Sequence, residues 1–416
     1  MKAKFYFFSP LDFDTVFRTQ VIGWVNLFRE YGLNCTIVKL SPVRKFSPRR
    51  ISSDRRGIRE LYNGRLAFLH TLPEKYFFTR LANALLMLAV ISPSLLSGET
   101  AVIQIRSSAL HRTLALMKKI TGRRLKIIYD SRAAAAEEYL YSLQDPGPRE
   151  RAVYERLKDC DRQMTALSDR VFCVSSVLAD YHISLSQGRV SREKFILYPG
   201  NADERLFHYS AELRHSVRAE LGIESRFVVV YSGGLEMPWH VPDMLFRFFR
   251  KISAMTDDAI LLVLSKDRGL ALEYVSKHEI AKENVLILSA DNRQVHRYLN
   301  ASDLGTLFRT DDIMNRVSSP TKFAEYLMCG LPVAISPSVG DLSRVIETTG
   351  WGIICSGDTV IDADDLNRKR SGWSANRSSI SRFGYENFSK QAVISGLLGV
   401  YDELTGRQAP KADAEN

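Results

Sequence analysis

Short apolar runs alternate along this chain with longer segments in which apolar positions recur every three or four residues. In the first half the strand-like runs are 4–8, 34–40, 66–69, 101–105, 126–129, 171–174 and 195–197. The helical patterns are 16–30, 109–121, 148–167 and a segment beginning near 176. Asp145-Pro146-Gly147-Pro148 is the turn that opens the third of these helices. The pattern restarts after a polar stretch, 201–216, with strand-like runs at 227–231, 259–264, 285–288, 304–308 and 332–335. Helical segments such as 244–252 and 321–328 fill the gaps. Strands separated by helix-length segments predict parallel sheets with crossover helices.

The expectation is an α/β chain of two Rossmann-like doubly wound domains, 1–200 and 201–384, facing across a cleft. The last helical region, 385–403, extends to a segment 385–406 that can cross back to the first domain, followed by a polar tail, 407–416. Open parallel sheets receive ligands beyond the carboxyl ends of their strands, so functional side chains are expected at strand ends.

Composition agrees with a soluble globular protein. The chain has 416 residues, 45% hydrophobic and 25% charged, which suits two or three domains. Five scattered cysteines include no C-x-x-C pair, so Cys173, Cys329 and Cys355 read as small core residues and no metal site is expected. The opening residues read as a first β-strand and not as a signal peptide, which makes the cytoplasm the expected compartment.

The net charge of +10 changes the picture more. Part of it lies in Arg44, Lys45, Arg49, Arg50, Arg55, Arg56 and Arg59. This block reads as a solvated basic loop or as a surface for an anionic membrane or acceptor. Nucleic acid is set aside, because no recognition helix, zinc finger or aromatic-rich signature accompanies it. The segment 77–96 is strongly apolar but interrupted by Arg80, Asn83, Ser92 and Pro93. It reads as a buried helix or as one lying on a bilayer, which would place the protein peripherally on the cytoplasmic face of the inner membrane.

The stretch from Ser318 to Ala334 carries the clearest chemistry. Ser319 can cap a helix with Pro320 at its first position, and a helix start offers N–H groups to phosphate. Lys322 adds positive charge, and Glu325 lies on the same face, suited to accept hydrogen bonds from donor hydroxyls. Gly330 ends the helix.

This stretch resembles the S-P-x-K-x-x-E-Y-L-x-x-G-x-P-V segment of GT-B glycosyltransferases, in particular the large family 4 of retaining enzymes that assemble bacterial polysaccharides and lipopolysaccharides. Supporting likenesses cover most of the chain. Tyr231-Ser232-Gly233-Gly234-Leu235 resembles the turn opening the donor domain, and Tyr198-Pro199-Gly200-Asn201-Ala202-Asp203 the interdomain segment. Gly340-Asp341-Leu342 resembles a turn that approaches the donor phosphates. Tyr129-Asp130-Ser131-Arg132 with Glu137-Glu138, and Ile105-Arg106-Ser107, resemble cleft-facing elements of the first domain.

The resemblance implies transfer of a hexosyl or related group from a nucleotide-sugar to a hydroxyl of a glycan or lipid-linked glycan, with retention. The nucleotide-sugar is a co-substrate, and no separate cofactor or metal is implied. It assigns catalytic work to Glu325, Lys322, Arg106 and Asp130. Donor binding falls to Gly233, Gly234, Ser319, Pro320, Thr321, Lys322, Glu325, Gly340 and Asp341, while Lys266, Arg268 and Arg309, near strand ends, are the cations available in this chain to fill the place of the family's Arg/Lys pair. Asp12, Asp14, Arg18, Arg132 and Glu138 are further candidates for the acceptor wall.

Two departures stand out. The first of the family's two glutamates falls on Val317, leaving Asp311, Asp312 or Asn315 as substitutes. The loop that commonly holds an Arg/Lys pair reads Glu236, Met237, Pro238, Trp239 and His240. The first departure supports the alternative of an inactive nucleotide-sugar or glycan-binding relative in an assembly complex. A nicotinamide-dependent oxidoreductase is disfavoured, because the first strand runs into Ser9-Pro10-Leu11-Asp12 without the glycine spacing such sites need.

Overall fold

A computed structural model describes residues 3–143, 145–356, 359 and 362–406. The chain divides into two compact units. One comprises Met1–Cys173, Ala179–Leu197 and Ile394–Asn416, and the other Val174–Leu178 and Tyr198–Val393. The expected polar tail lies outside the described residues.

The first unit is a seven-stranded parallel sheet of β1 (Ala3–Ser9), β2 (Cys35–Pro42), β3 (Leu66–Thr71), β4 (Thr100–Ile105), β5 (Leu125–Ser131), β6 (Arg170–Cys173) and β7 (Phe195–Leu197). Its order is β3-β2-β1-β4-β5-β6-β7. Every residue of β4 is buried, as a strand covered on both faces requires. The C-terminal stretch completes this core. Tyr401 packs edge-on against Phe5 and Phe28 and its hydroxyl meets Gln104 Oε1.

The second unit holds β8 (Phe227–Ser232), β9 (Ala259–Leu264), β10 (Val285–Leu288), β11 (Leu304–Leu307), β12 (Val333–Ile335) and β13 (Gly352–Ile354). They are ordered β10-β9-β8-β11-β12-β13 and are all parallel. Strand order reverses beside β1 in the first unit and beside β8 in the second. At such switch points crossovers leave on opposite faces and a crevice opens at the carboxyl ends. Both units are thus Rossmann-like and doubly wound.

Local chemistry accounts for several differences from the sequence expectations. Five of the seven residues of the basic block, Arg49, Arg50, Arg55, Arg56 and Arg59, lie in a helix, Pro48–Leu61, and not in a loop. Ser47 accepts the Arg50 N–H and Pro48 starts the helix, but only Ile58 is fully buried, so the amphipathic signal is faint. The expected helix 16–30 is interrupted by a wider π-type turn at Arg18–Ile22 before Gly23–Glu30. The expected helical run 385–403 is split between Arg377–Phe388 and Lys390–Thr405. Ser389 stands between them in extended backbone, pairs with Ala202 and accepts the Ala392 N–H through its hydroxyl. Cys173, Cys329 and Cys355 are buried core residues.

Candidate functional site

The switch point of the second sheet lies between β8 and β11, and several predicted residues meet there. β8 ends in Ser232-Gly233-Gly234. Gly233 has φ +139, and a Cβ on it would stand 2.6 Å from Lys322 Nζ, so only glycine lets this side chain lie over the strand end. The Gly234 carbonyl accepts from the Tyr231 hydroxyl at 2.6 Å, and Lys322 Nζ stands 6.0 Å from the Tyr231 ring centre. β11 leads directly into Arg309, which is 8% exposed and donates to its neighbour's carbonyl, Phe308 O, at 3.1 Å. Burial holds its pKa below the ordinary guanidinium value.

Lys322 and Glu325 come from the helix Thr321–Met328, whose buried face carries Phe323, Ala324, Tyr326, Leu327 and Met328. Both are half-buried, and neither appears in an ion pair with the other among the described residues. Burial lowers the Lys322 pKa to about 8; the Arg309 cation pushes the same way and Glu325 opposes them. Burial raises the Glu325 pKa, against the pull of Lys322. The result is a group of two confined cations and one carboxyl at the end of a parallel sheet, suited to an anion bearing hydroxyls.

Ser319 does not cap the helix. Pro320 occupies the capping position, and the Ser319 hydroxyl accepts the Gly200 N–H at 2.9 Å. A Cβ on Gly200 would stand 2.1 Å from the Ser319 carbonyl oxygen, so the two segments are locked backbone to backbone. Gly340 does the same on the other side. It has φ +52, and a Cβ there would approach Ser318 O to 2.1 Å. Asp341 is committed elsewhere, accepting the Ser176 N–H at 2.6 Å within the segment Val174–Leu178 of the same unit.

The remaining predicted cations separate. Arg268 is exposed and donates to Ile287 O at 3.0 Å, on the β10 edge. Lys266 is exposed at the end of β9. The intervening Asp267, overlooked in the sequence, accepts the Leu235 N–H at 2.6 Å and fixes the glycine turn. Its signal was its place in the short turn between β9 and the helix Arg268–Lys277, immediately before that helix. His240 lies in the following loop with Nδ1 2.6 Å from Gly234 O.

Val317 is buried, with its side chain enclosed. Of its possible substitutes, Asp312 accepts from the N–H and the amide of Asn315, each at 2.9 Å, and Asp311 pairs with Arg316 at 2.7 Å. All three polar groups are therefore held by local structure.

In the first unit Arg106 and Asp130 lie together at the ends of β4 and β5, but as a buried network. Arg106 Nε contacts Asp130 Oδ2 at 2.8 Å, Gln104 Nε2 donates to the same oxygen at 2.8 Å, and Arg132 pairs with Oδ1 at 2.7 Å. Burial alone would raise the Asp130 carboxyl, but the two guanidinium groups outweigh it and hold it below the ordinary value. A carboxylate so engaged is an organiser of arginines and a poor proton acceptor. Asp14 accepts the Phe17 N–H, Arg18 lies over the Phe13 ring, and Asp12 pairs with Arg50 at 2.6 Å. Glu138 is exposed. Among the described residues no three His, Cys, Asp or Glu side chains are grouped to hold a metal ion.

No family model matches this chain. It is 27% identical over 209 residues to the D-inositol 3-phosphate glycosyltransferase of Salinispora arenicola strain CNS-205, a match covering 47% of this chain and 45% of that protein. The match thus spans less than half the length of that relative. Among solved structures, Anabaena HepE in complex with UDP superposes with a TM-score of 0.67 at 12% identity, covering 97% of this chain and 100% of that one. The lipopolysaccharide outer core galactosyltransferase WaaB in its apo form gives 0.64 at 12% identity, with 97% and 100% covered. At such identities the likeness is one of fold, the paired Rossmann-like units of the GT-B architecture.

Proposed function

We propose that this chain is a glycosyltransferase that takes a sugar from a nucleotide-sugar and passes it to a hydroxyl of a glycan or lipid-linked glycan, with retention. The observation that carries this reading is the meeting of Lys322, Arg309, Glu325 and the Gly233-Gly234 turn at the switch point of the second sheet. Confined cations stabilise charge that develops on a departing diphosphate. Glu325 accepts from the donor's hydroxyls, and the N–H groups at the start of Thr321–Met328 face an anion favourably. UDP is the first nucleotide to try, since HepE was solved with it.

The acceptor side is proposed to work at a cytoplasmic, anionic membrane surface. The helix Phe77–Leu96 leaves Phe77 and Phe78 each 66%, Leu85 57% and Leu96 87% exposed. A helix with one charged residue, Arg80, that turns an apolar stripe outward suits a bilayer interface. The exposed cations Lys75, Arg112, Lys119, Arg123 and Arg124 flank it in the chain and on the neighbouring helix His111–Thr121 and its end.

The capture of Asp312 and Asn315 by local bonds, beside a buried Val317, favours a second reading: a nucleotide-sugar-binding relative that does not turn over. Incubation with a panel of nucleotide-sugars, following nucleoside diphosphate release, separates the two. Release that disappears in Lys322→Ala and Glu325→Ala supports the enzyme. Donor binding without release supports the binding protein, and no binding at all overturns the donor site.

A further inference from the structure

The loop Glu236–His240 follows the glycine turn and contains no lysine or arginine, yet it presents one titratable ring to the cationic group. His240 is half-buried and its Nδ1 lies 2.6 Å from the Gly234 carbonyl oxygen. A carbonyl only accepts, so the single proton of the neutral ring must sit on Nδ1. Any second proton therefore goes to Nε2. The ring is oriented further by edge contacts with Tyr231, centres 6.4 Å apart, and Trp239, centres 6.0 Å apart.

The groups that bear on this ring come from three elements. β8 contributes Tyr231 and the Gly234 turn, β11 contributes Arg309, and the helix Thr321–Met328 contributes Lys322 with Glu325 behind it. Asp267 is spent on the Leu235 N–H beneath the turn. Burial, then Arg309 and Lys322, hold the His240 pKa down at about 4, and the Gly234 bond only partly offsets them. With the pKa held there the ring is neutral at physiological pH. A polyanion seated between Arg309 and Lys322 reverses the sign of the local field that keeps the second proton off.

We propose that His240 Nε2 takes a proton from solvent when a nucleoside diphosphate binds, and that the resulting imidazolium donates it to a phosphate oxygen as a third, conditional cation of the site. The step forms an Nε2–H bond at the expense of one solvent proton, and the ring returns to neutral when the diphosphate leaves. The inference rests on the donor-site reading given above. Its consequence is that the site is most cationic only while the leaving group is present.

The test is titration calorimetry of the full chain with UDP and with GDP at pH 6 to 8, in buffers of different ionisation heat. Wild type should take up protons on binding, and its affinity should fall with rising pH by up to about tenfold per pH unit where a whole proton is transferred. His240→Gln should bind more weakly and take up about one proton fewer at pH 6, where Lys322 is already charged before the diphosphate binds. His240→Arg, which stays charged without the diphosphate, should restore affinity without the extra uptake. Equal proton uptake in wild type and either variant, with binding retained, would overturn the inference while leaving the donor site standing. No binding of either diphosphate by wild type overturns the donor site, and this inference with it.

Discussion

In a Lys322→Met variant an unbranched apolar chain of similar reach replaces the lysine stem and the ammonium is lost. The fall of the Lys322 pKa from 10.5 to about 8 corresponds to a penalty of about 3 kcal/mol on its charged form in the folded protein. The side chain is half-buried and Glu325 loses its cation, so the net gain at pH 7 should be about 1–2 kcal/mol. The sign follows from proton linkage. Below pH 8 folded and unfolded chains both carry the proton, and the full penalty applies. Between pH 8 and 10.5 the unfolded chain binds more protons, so wild-type stability rises with pH and the variant's advantage shrinks. Melting followed by scanning fluorimetry should show Lys322→Met a few degrees higher at pH 7, converging on wild type near pH 10.5. Calorimetry with UDP should show binding weakened by about tenfold or more. A variant less stable than wild type at pH 7, or an advantage that does not change with pH, would refute the reasoning.

Gly200→Ala should cost about 1–3 kcal/mol and weaken UDP binding, because its new Cβ meets the Ser319 backbone, which has nowhere to move; an unchanged melting curve counts against the lock. Asp130→Asn should destabilise the first unit by about 3 kcal/mol near neutral pH by leaving Arg106 and Arg132 uncompensated. The depressed folded pKa of Asp130 puts its contribution above the ordinary aspartate range and removes it as pH falls further, so wild type and variant should converge in acid melts. Leu85→Glu with Leu96→Glu should change stability by less than about 0.5 kcal/mol yet abolish sedimentation with anionic vesicles, since both positions face solvent; sedimentation equal to wild type argues against the membrane face. Val317→Glu should cost about 2 kcal/mol or more, read by urea unfolding, because the position is enclosed by apolar packing.

The strands that were legible in the sequence are those buried on both faces, such as 227–231 and 259–264, where apolar runs are continuous. The helix Pro48–Leu61 was hidden because one buried isoleucine among five arginines leaves almost no periodicity to read. β13 was missed for a related reason: Gly352–Ile354 is three residues long and only partly buried. In the site, Lys322, Glu325 and the paired glycines stood out because their spacing is local. The bonds of Asp267, Asp341 and Ser319 were not legible because they run to Leu235, Ser176 and Gly200, which are 32, 165 and 119 residues away in the chain. Arg106 and Asp130 are bonded to each other at the strand ends, but sequence carries no measure of burial, which is what holds Asp130 between two arginines.

The rejoining of the first unit by residues from Ile394 onward has a consequence for biogenesis. Tyr401 fills the space between Phe5, Phe28 and Phe172 and meets Gln104, all on segments synthesised long before it. Tyr401 is therefore synthesised after the whole chain of the second unit, so the core of the first unit closes only once both units have been translated. The half that emerges first is the half that finishes last. Until Tyr401 arrives, that half waits with an aromatic-lined gap beside Phe5, Phe28 and Phe172.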